Sequence, residues 1–111
     1  MRKTVNLEKL DKALLALGIR DSLRGADYIR QGVVLWMPGM CIHKELYPAL
    51  AKAFGTTPSR VERAMRHAIE TGWERAMPED MAAYFGGTIS PNKGKPTNGE
   101  FVARLWRVCC E

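Results

Sequence analysis

Arg60, Glu62, Arg63 and Arg66 fall within seven residues of one another, preceded by Ser59 and followed by His67. This combination can read base edges. A guanidinium forks onto the O6 and N7 of guanine, and a carboxylate accepts from the N4 amine of cytosine. Each good pair of this kind discriminates by roughly 1–3 kcal/mol. An acidic side chain facing DNA is repelled by phosphate, so Glu62 inside the row points to readout rather than general attraction. A plainer reading makes Glu62 an i,i+4 partner of Arg66, worth only about 0.2–0.5 kcal/mol. Ser59 has two equal readings: a phosphate contact through its hydroxyl and the first helical amides, or a simple cap.

Such a row needs a helix held by its opposite face. Residues 47–67, YPALAKAFGTTPSRVERAMRH, read as a helix-turn-helix. Leu46, Tyr47, Leu50, Ala51 and Phe54 make one apolar stripe on a first helix. Gly55 ends it, because the residue after a helix often needs a positive φ. Thr57 is a good N-cap and Pro58 suits the first helical position. The second helix, 58–74 with its end near Arg75, buries Val61, Ala64, Met65, Ala68, Ile69 and Trp73. It turns Arg60, Glu62, Arg63, Arg66, His67 and Glu70 outward. Ala51 is small enough for a close helix crossing. An ordinary αα-hairpin with a solvated face fits the apolar pattern almost as well. Three arginines within seven residues, against a single glutamate there, favour DNA.

The stretches SRVERAMRHAIE and KGKPTNGEF resemble the C-terminal DNA-binding effector domain of the stage-zero sporulation response regulators of endospore-forming bacteria. The resemblance is close over about residues 43–105 and looser over 1–42. It implies that Arg60, Glu62, Arg63 and Arg66 lie in the major groove of double-stranded DNA, with His67 nearer the backbone. Lys93 and Lys95 read as phosphate clamps beside Thr97 and Asn98, on the strength of the shared KPTN. Lys44 is a weaker phosphate candidate, and His43 reads as a surface histidine. The resemblance further implies that the helix 78–85 contacts RNA polymerase sigma subunits, with Glu79 and Asp80 in place to serve. It also implies head-to-tail homodimers on tandem boxes. The chain shows no acidic phosphate pocket and no βα alternation of a receiver domain, so phosphorylation control is not assigned to it.

The composition agrees with a DNA partner without requiring one. The 111 residues carry a net charge of +5, from 17 basic and 12 acidic side chains, with 46% hydrophobic content. That suits one soluble domain spanning 1–111 and a polyanionic partner. No apolar run reaches membrane-spanning length and no signal peptide opens the chain, so a cytoplasmic protein is expected. Cys41, Cys109 and Cys110 have no C-x-x-C spacing; reduced thiols and no metal site are expected. No nucleophile–base set, cofactor motif or phosphate-binding glycine run suggests an enzyme. The alternative to a DNA reader is a protein-interaction module that presents the same basic face to an acidic partner, such as a sigma factor or anti-activator.

The remaining elements complete an all-α, six-helix domain. Asn6 caps a helix over 6–17 with Leu7, Leu10, Leu14 and Leu17 inward, and Gly18 stops it. A second helix starts at Asp21 or Ser22 and runs to about Met37, with Leu23, Ala26, Ile29, Val33 and Met37 inward. Its VVLWM run also fits a buried strand, but the flanking pattern and Pro38-Gly39 favour helix. A fifth helix starts at Pro78, presents Met81, Tyr84 and Phe85, and stops at Gly86-Gly87. Residues 86–96 read as a loop, with a short hairpin wing around TIS as the alternative. Thr97 and Glu100 form a capping box for a last helix over about 97–110. Trp36, Trp73 and Trp106 read as core anchors and the methionines as gap fillers. Gly72 inside the fourth helix costs about 1 kcal/mol against alanine and marks either close packing or fraying.

Overall fold

The computed structural model describes residues 4–86 and 94–111, and among these it contains six α-helices and no β-strand. They are α1 (Leu7–Ala16), α2 (Arg24–Leu35), α3 (Tyr47–Phe54), α4 (Pro58–Arg75), α5 (Pro78–Phe85) and α6 (Asn98–Cys109). The boundaries follow local chemistry. Asn6 caps α1 by accepting from Lys9 N at 3.0 Å, and Gly18 follows at φ 76°. The α6 capping box closes in both directions: Glu100 N donates to Thr97 Oγ1 at 3.1 Å, and Thr97 N to Glu100 Oε1 at 2.9 Å.

The long helix α4 is the axis of the fold. It packs against α2 on one side and against α3 and α6 on others. Its inner residues Val61, Met65, Ala68 and Ile69 are buried with Leu50, Ile29 and Phe101. The α2–α4 approach is close enough to exclude side chains. A Cβ placed on Gly25 would lie 2.1 Å from the Ala64 carbonyl oxygen. Further along, a Cβ on Gly72 would lie 2.7 Å from the Leu17 carbonyl oxygen, and one on Gly18 2.6 Å from that of Gly72. Close packing, not fraying, therefore explains the glycine inside α4. The approach of two backbones replaces the helix propensity that glycine forgoes.

Several details depart from the sequence reading. The second helix begins at Arg24, because residues 20–23 form a turn in which Leu23 N donates to Arg20 O at 3.1 Å. It ends at Leu35, and Trp36 is extended at ψ 144°, so the helical register never reaches Met37, which is 43% exposed. Leu7, the first residue of α1, lies ahead of the packed part of the helix and is 47% exposed. Residues Ile42–Leu46 form a single π-helical turn running directly into α3, with Leu46 N donating to Cys41 O at 3.3 Å. The three tryptophans are half-buried and pack against the core from its edges. The loop-or-wing question at TIS falls on residues 88–90, outside the described residues.

Candidate nucleic-acid interface

The turn into α4 forms as its residue types require. Gly55 takes φ 66° and ψ 41°, and Thr56 N closes the end of α3 on Ala51 O at 2.9 Å. Thr57 is extended and its Oγ1 accepts from Arg60 N at 3.3 Å, with Pro58 next in the first turn. Thr57 therefore holds the cap. Ser59 stands exposed one residue inside the helix, where its hydroxyl is not the capping group.

Burial of Val61, Met65, Ala68 and Ile69 sends the opposite face of α4 to solvent. Arg60, Arg63, Arg66 and His67 are all exposed there. Arg60 and Arg63 have no ion-pair partner among the described residues, whereas Arg66 Nη1 lies 2.6 Å from Glu62 Oε1. The plainer reading of Glu62 is thus realised in this structure: its carboxylate orients a guanidinium. An exposed pair of this kind adds about 0.2–0.5 kcal/mol to a helix, so it does little for stability.

The head of α6 lies beside this face. Lys95 Nζ pairs with Glu74 Oε1 of α4 at 3.1 Å, and both side chains are solvent-exposed. Thr97 is exposed, with its hydroxyl engaged in the capping box. A groove of about 510 Å³ runs between the two elements, lined by His43, Tyr47, Glu62, Arg66, Glu70, Lys95 and Thr97 among others. The groove thus brings Arg66 and Lys95 together with Glu62 and Glu70 at the start of α6, with each cation held by a carboxylate. His43 is a surface residue whose ring meets Tyr47 edge-on at 5.2 Å. Lys93 lies outside the described residues.

Asn98 is placed differently from its expected role. It is the first residue of α6 and only 8% exposed. Its Nδ2 donates to Tyr47 Oη at 2.9 Å and to the Glu62 carbonyl oxygen at 3.0 Å. The side chain faces the interior, because both amide hydrogens find acceptors there. Burial pushes the Tyr47 phenol above its ordinary range, and the bond from Asn98 pulls in the other direction. Periodicity gave no sign of this contact, since the partners stand 51 residues apart. The buried Tyr47 on the α3 stripe was the only hint, because a buried phenol needs a hydrogen-bond partner.

Helix α5 is fastened by its last turn. Phe85 is buried between Trp73, at 5.2 Å and 85°, and Phe101, at 5.5 Å. Arg104 Nε donates to the Tyr84 carbonyl. Glu79 in the first turn is exposed and Asp80 partly so. No helix among the described residues is long and apolar enough to cross a membrane. A family model described as sporulation initiation factor Spo0A C terminal matches residues 10–108.

Proposed function

Since the chain belongs to the sporulation initiation factor Spo0A C-terminal family of DNA-binding effector domains in transcription regulation, we propose that it reads duplex sequence by laying the outer face of α4 in the major groove. The observation that carries this is the exposed pair Arg60 and Arg63. No internal carboxylate occupies them among the described residues, and they stand on a helix whose other face is core. They are available to fork onto guanine. Arg66 enters the groove with its guanidinium already oriented by Glu62, and His67 lies toward the backbone. Ser59, Lys95 and Thr97 hold phosphates on either side, which fixes register without carrying sequence information. Lys93, on the same KPTN-side segment, adds a further phosphate contact.

Two partner surfaces extend the proposal. The acidic first turn of α5, with Glu79 and Asp80, meets an RNA polymerase sigma subunit, and two copies bind head to tail on tandem boxes. Fluorescence-anisotropy titration of a tandem-box duplex and a scrambled duplex across a salt series tests the central reading. Tighter binding to the box at physiological salt is the expected result. Equal and steeply salt-dependent binding to both would leave a purely electrostatic face, and would return the basic surface to an acidic protein partner. Arg63→Ala should weaken box binding by about 10- to 100-fold while changing scrambled binding far less. Equal losses on both duplexes would make Arg63 a phosphate contact.

A further inference from the structure

Asn98 links three elements that a DNA reader must hold in register. It begins α6, whose head carries Lys95 and Thr97. Its Nδ2 reaches Tyr47, the first residue of α3, at 2.9 Å, and the backbone carbonyl of Glu62 in α4 at 3.0 Å. It is buried, at 8% exposed. Its own backbone is immobilised by the capping box of Thr97 and Glu100. Glu62 is in turn the residue whose carboxylate holds Arg66 at 2.6 Å. One amide thus ties the phosphate-gripping head of α6 to the residue that aims a reading guanidinium.

We infer that Asn98 is a positioning residue for sequence discrimination, acting with the Tyr47 hydroxyl to lock the head of α6 against the reading helix, and that it does not touch DNA itself. The inference rests on the proposed reading of DNA by α4. Its logic is geometric. Phosphate contacts fix where the domain sits on the duplex, and the arginines read what lies in the groove. A base-specific fork tolerates little misplacement, whereas a lysine on a phosphate tolerates much, because an ammonium is a point charge on a flexible stem. Loosening the link between the two should therefore erode discrimination and leave general affinity largely intact. A buried polar group with both donors satisfied specifies one arrangement of its neighbours, and an apolar replacement would not.

The test is a set of anisotropy titrations of the wild type, Tyr47→Phe and Asn98→Asp on box and scrambled duplexes across a salt series, each protein first checked by thermal melting. Tyr47→Phe keeps the ring and removes only the acceptor. Tyr47 lines the groove but is 4% exposed and its hydroxyl is held by Asn98 at 2.9 Å, so a loss confined to the box-to-scrambled ratio arises through position and not contact. The expected result is a fall of about 3- to 10-fold in the box-to-scrambled ratio for Tyr47→Phe, corresponding to one lost internal hydrogen bond. Asn98→Asp should fall further, because a carboxylate cannot donate and faces the Glu62 carbonyl. Scrambled affinity and the salt slope should hold in Tyr47→Phe. If the wild type discriminates and Tyr47→Phe discriminates equally well, the positioning role is overturned. A wild-type box-to-scrambled ratio in Asn98→Asp also overturns it, because the added carboxylate accounts for a general weakening on both duplexes but not for an undiminished discrimination. A wild-type ratio of one would instead sink the reading of DNA by α4, and this inference with it.

Discussion

Two sides of α4 are held by opposite kinds of chemistry. Along its inner side it meets α2 and the α1–α2 turn by steric contact, with glycines at Gly25, Gly18 and Gly72 and carbonyl oxygens within 3 Å of where a Cβ would stand. Near its reading turn it meets α6 by a polar clamp, in which one amide serves Tyr47 and Glu62. The steric seam tolerates no added atom but needs no direction. The clamp depends on hydrogen-bond geometry. The steric seam starts at Ala64, directly behind the arginine row, and runs on to Gly72, while the polar clamp holds Glu62 beside it. Stability and readout should respond to different substitutions.

The largest effect should come from the seam. Gly25→Ala gains about 1 kcal/mol of helix propensity but drives a methyl into the Ala64 carbonyl oxygen, 2.1 Å away and belonging to backbone. Overpacking of this kind costs about 3 kcal/mol when the neighbour cannot yield. Denaturant unfolding should show a lowered midpoint, and an unchanged midpoint would mean that α2 can slide without loss, which would break the contrast. At the reading end, Lys95→Ala should leave the melting temperature nearly unchanged, because its pair with Glu74 is exposed. It should lower affinity for box and scrambled duplexes alike and flatten the log–log salt slope by about one unit. A full slope would remove Lys95 from the interface.

The smallest effect is expected far from both. Asp11 Oδ1 accepts from Arg30 Nε at 2.9 Å across α1 and α2, and that hydrogen bond holds the Asp11 carboxyl below its ordinary range. A depressed folded pKa contributes stability above the unfolded value near 3.9 and loses it as pH falls through the lower folded value. The pair is largely exposed, so the contribution is under about 1 kcal/mol. Asp11→Asn should destabilise slightly at pH 7, and the difference from wild type should shrink as pH falls through the lowered folded value. A difference that persists below that value would have to come from packing rather than charge.

Much of the frame was legible in the chain. Gly55, Thr57 and Pro58 marked the turn, and Thr97 with Glu100 marked the start of α6, because caps are local chemistry confined to a few residues. The apolar stripe of α4 was equally plain. The glycine seam was not, since a missing side chain leaves no periodic trace and Gly25 is informative only once Ala64 lies opposite. Leu7 and Met37 were expected inward because they continue a helical spacing, but spacing says nothing about where packing stops. Of the candidate site, the arginine row was visible as composition on a helix face, and the Glu62–Arg66 pair as an i,i+4 spacing, which the structure forms. Asn98 went astray because KPTN as a motif identifies a segment and not the direction of each side chain. Its burial depends on Tyr47, a distant position brought near by the tertiary fold.

The edge where α1 and α6 meet carries one more consequence. Val5 bridges antiparallel to Cys110, Asn6 N donates to Cys109 O at 2.8 Å, and Glu111 N donates to Thr4 O at 3.1 Å. Residues 4–6 and 109–111 thus lie side by side at this edge. The order in which the helices follow one another is then separable from their arrangement in space. A few residues joining 111 to 4 would let the chain be cut instead at the exposed turn of Gly39, where nothing crowds the backbone. Such a circular permutant should refold around the same α4 and present the same arginines.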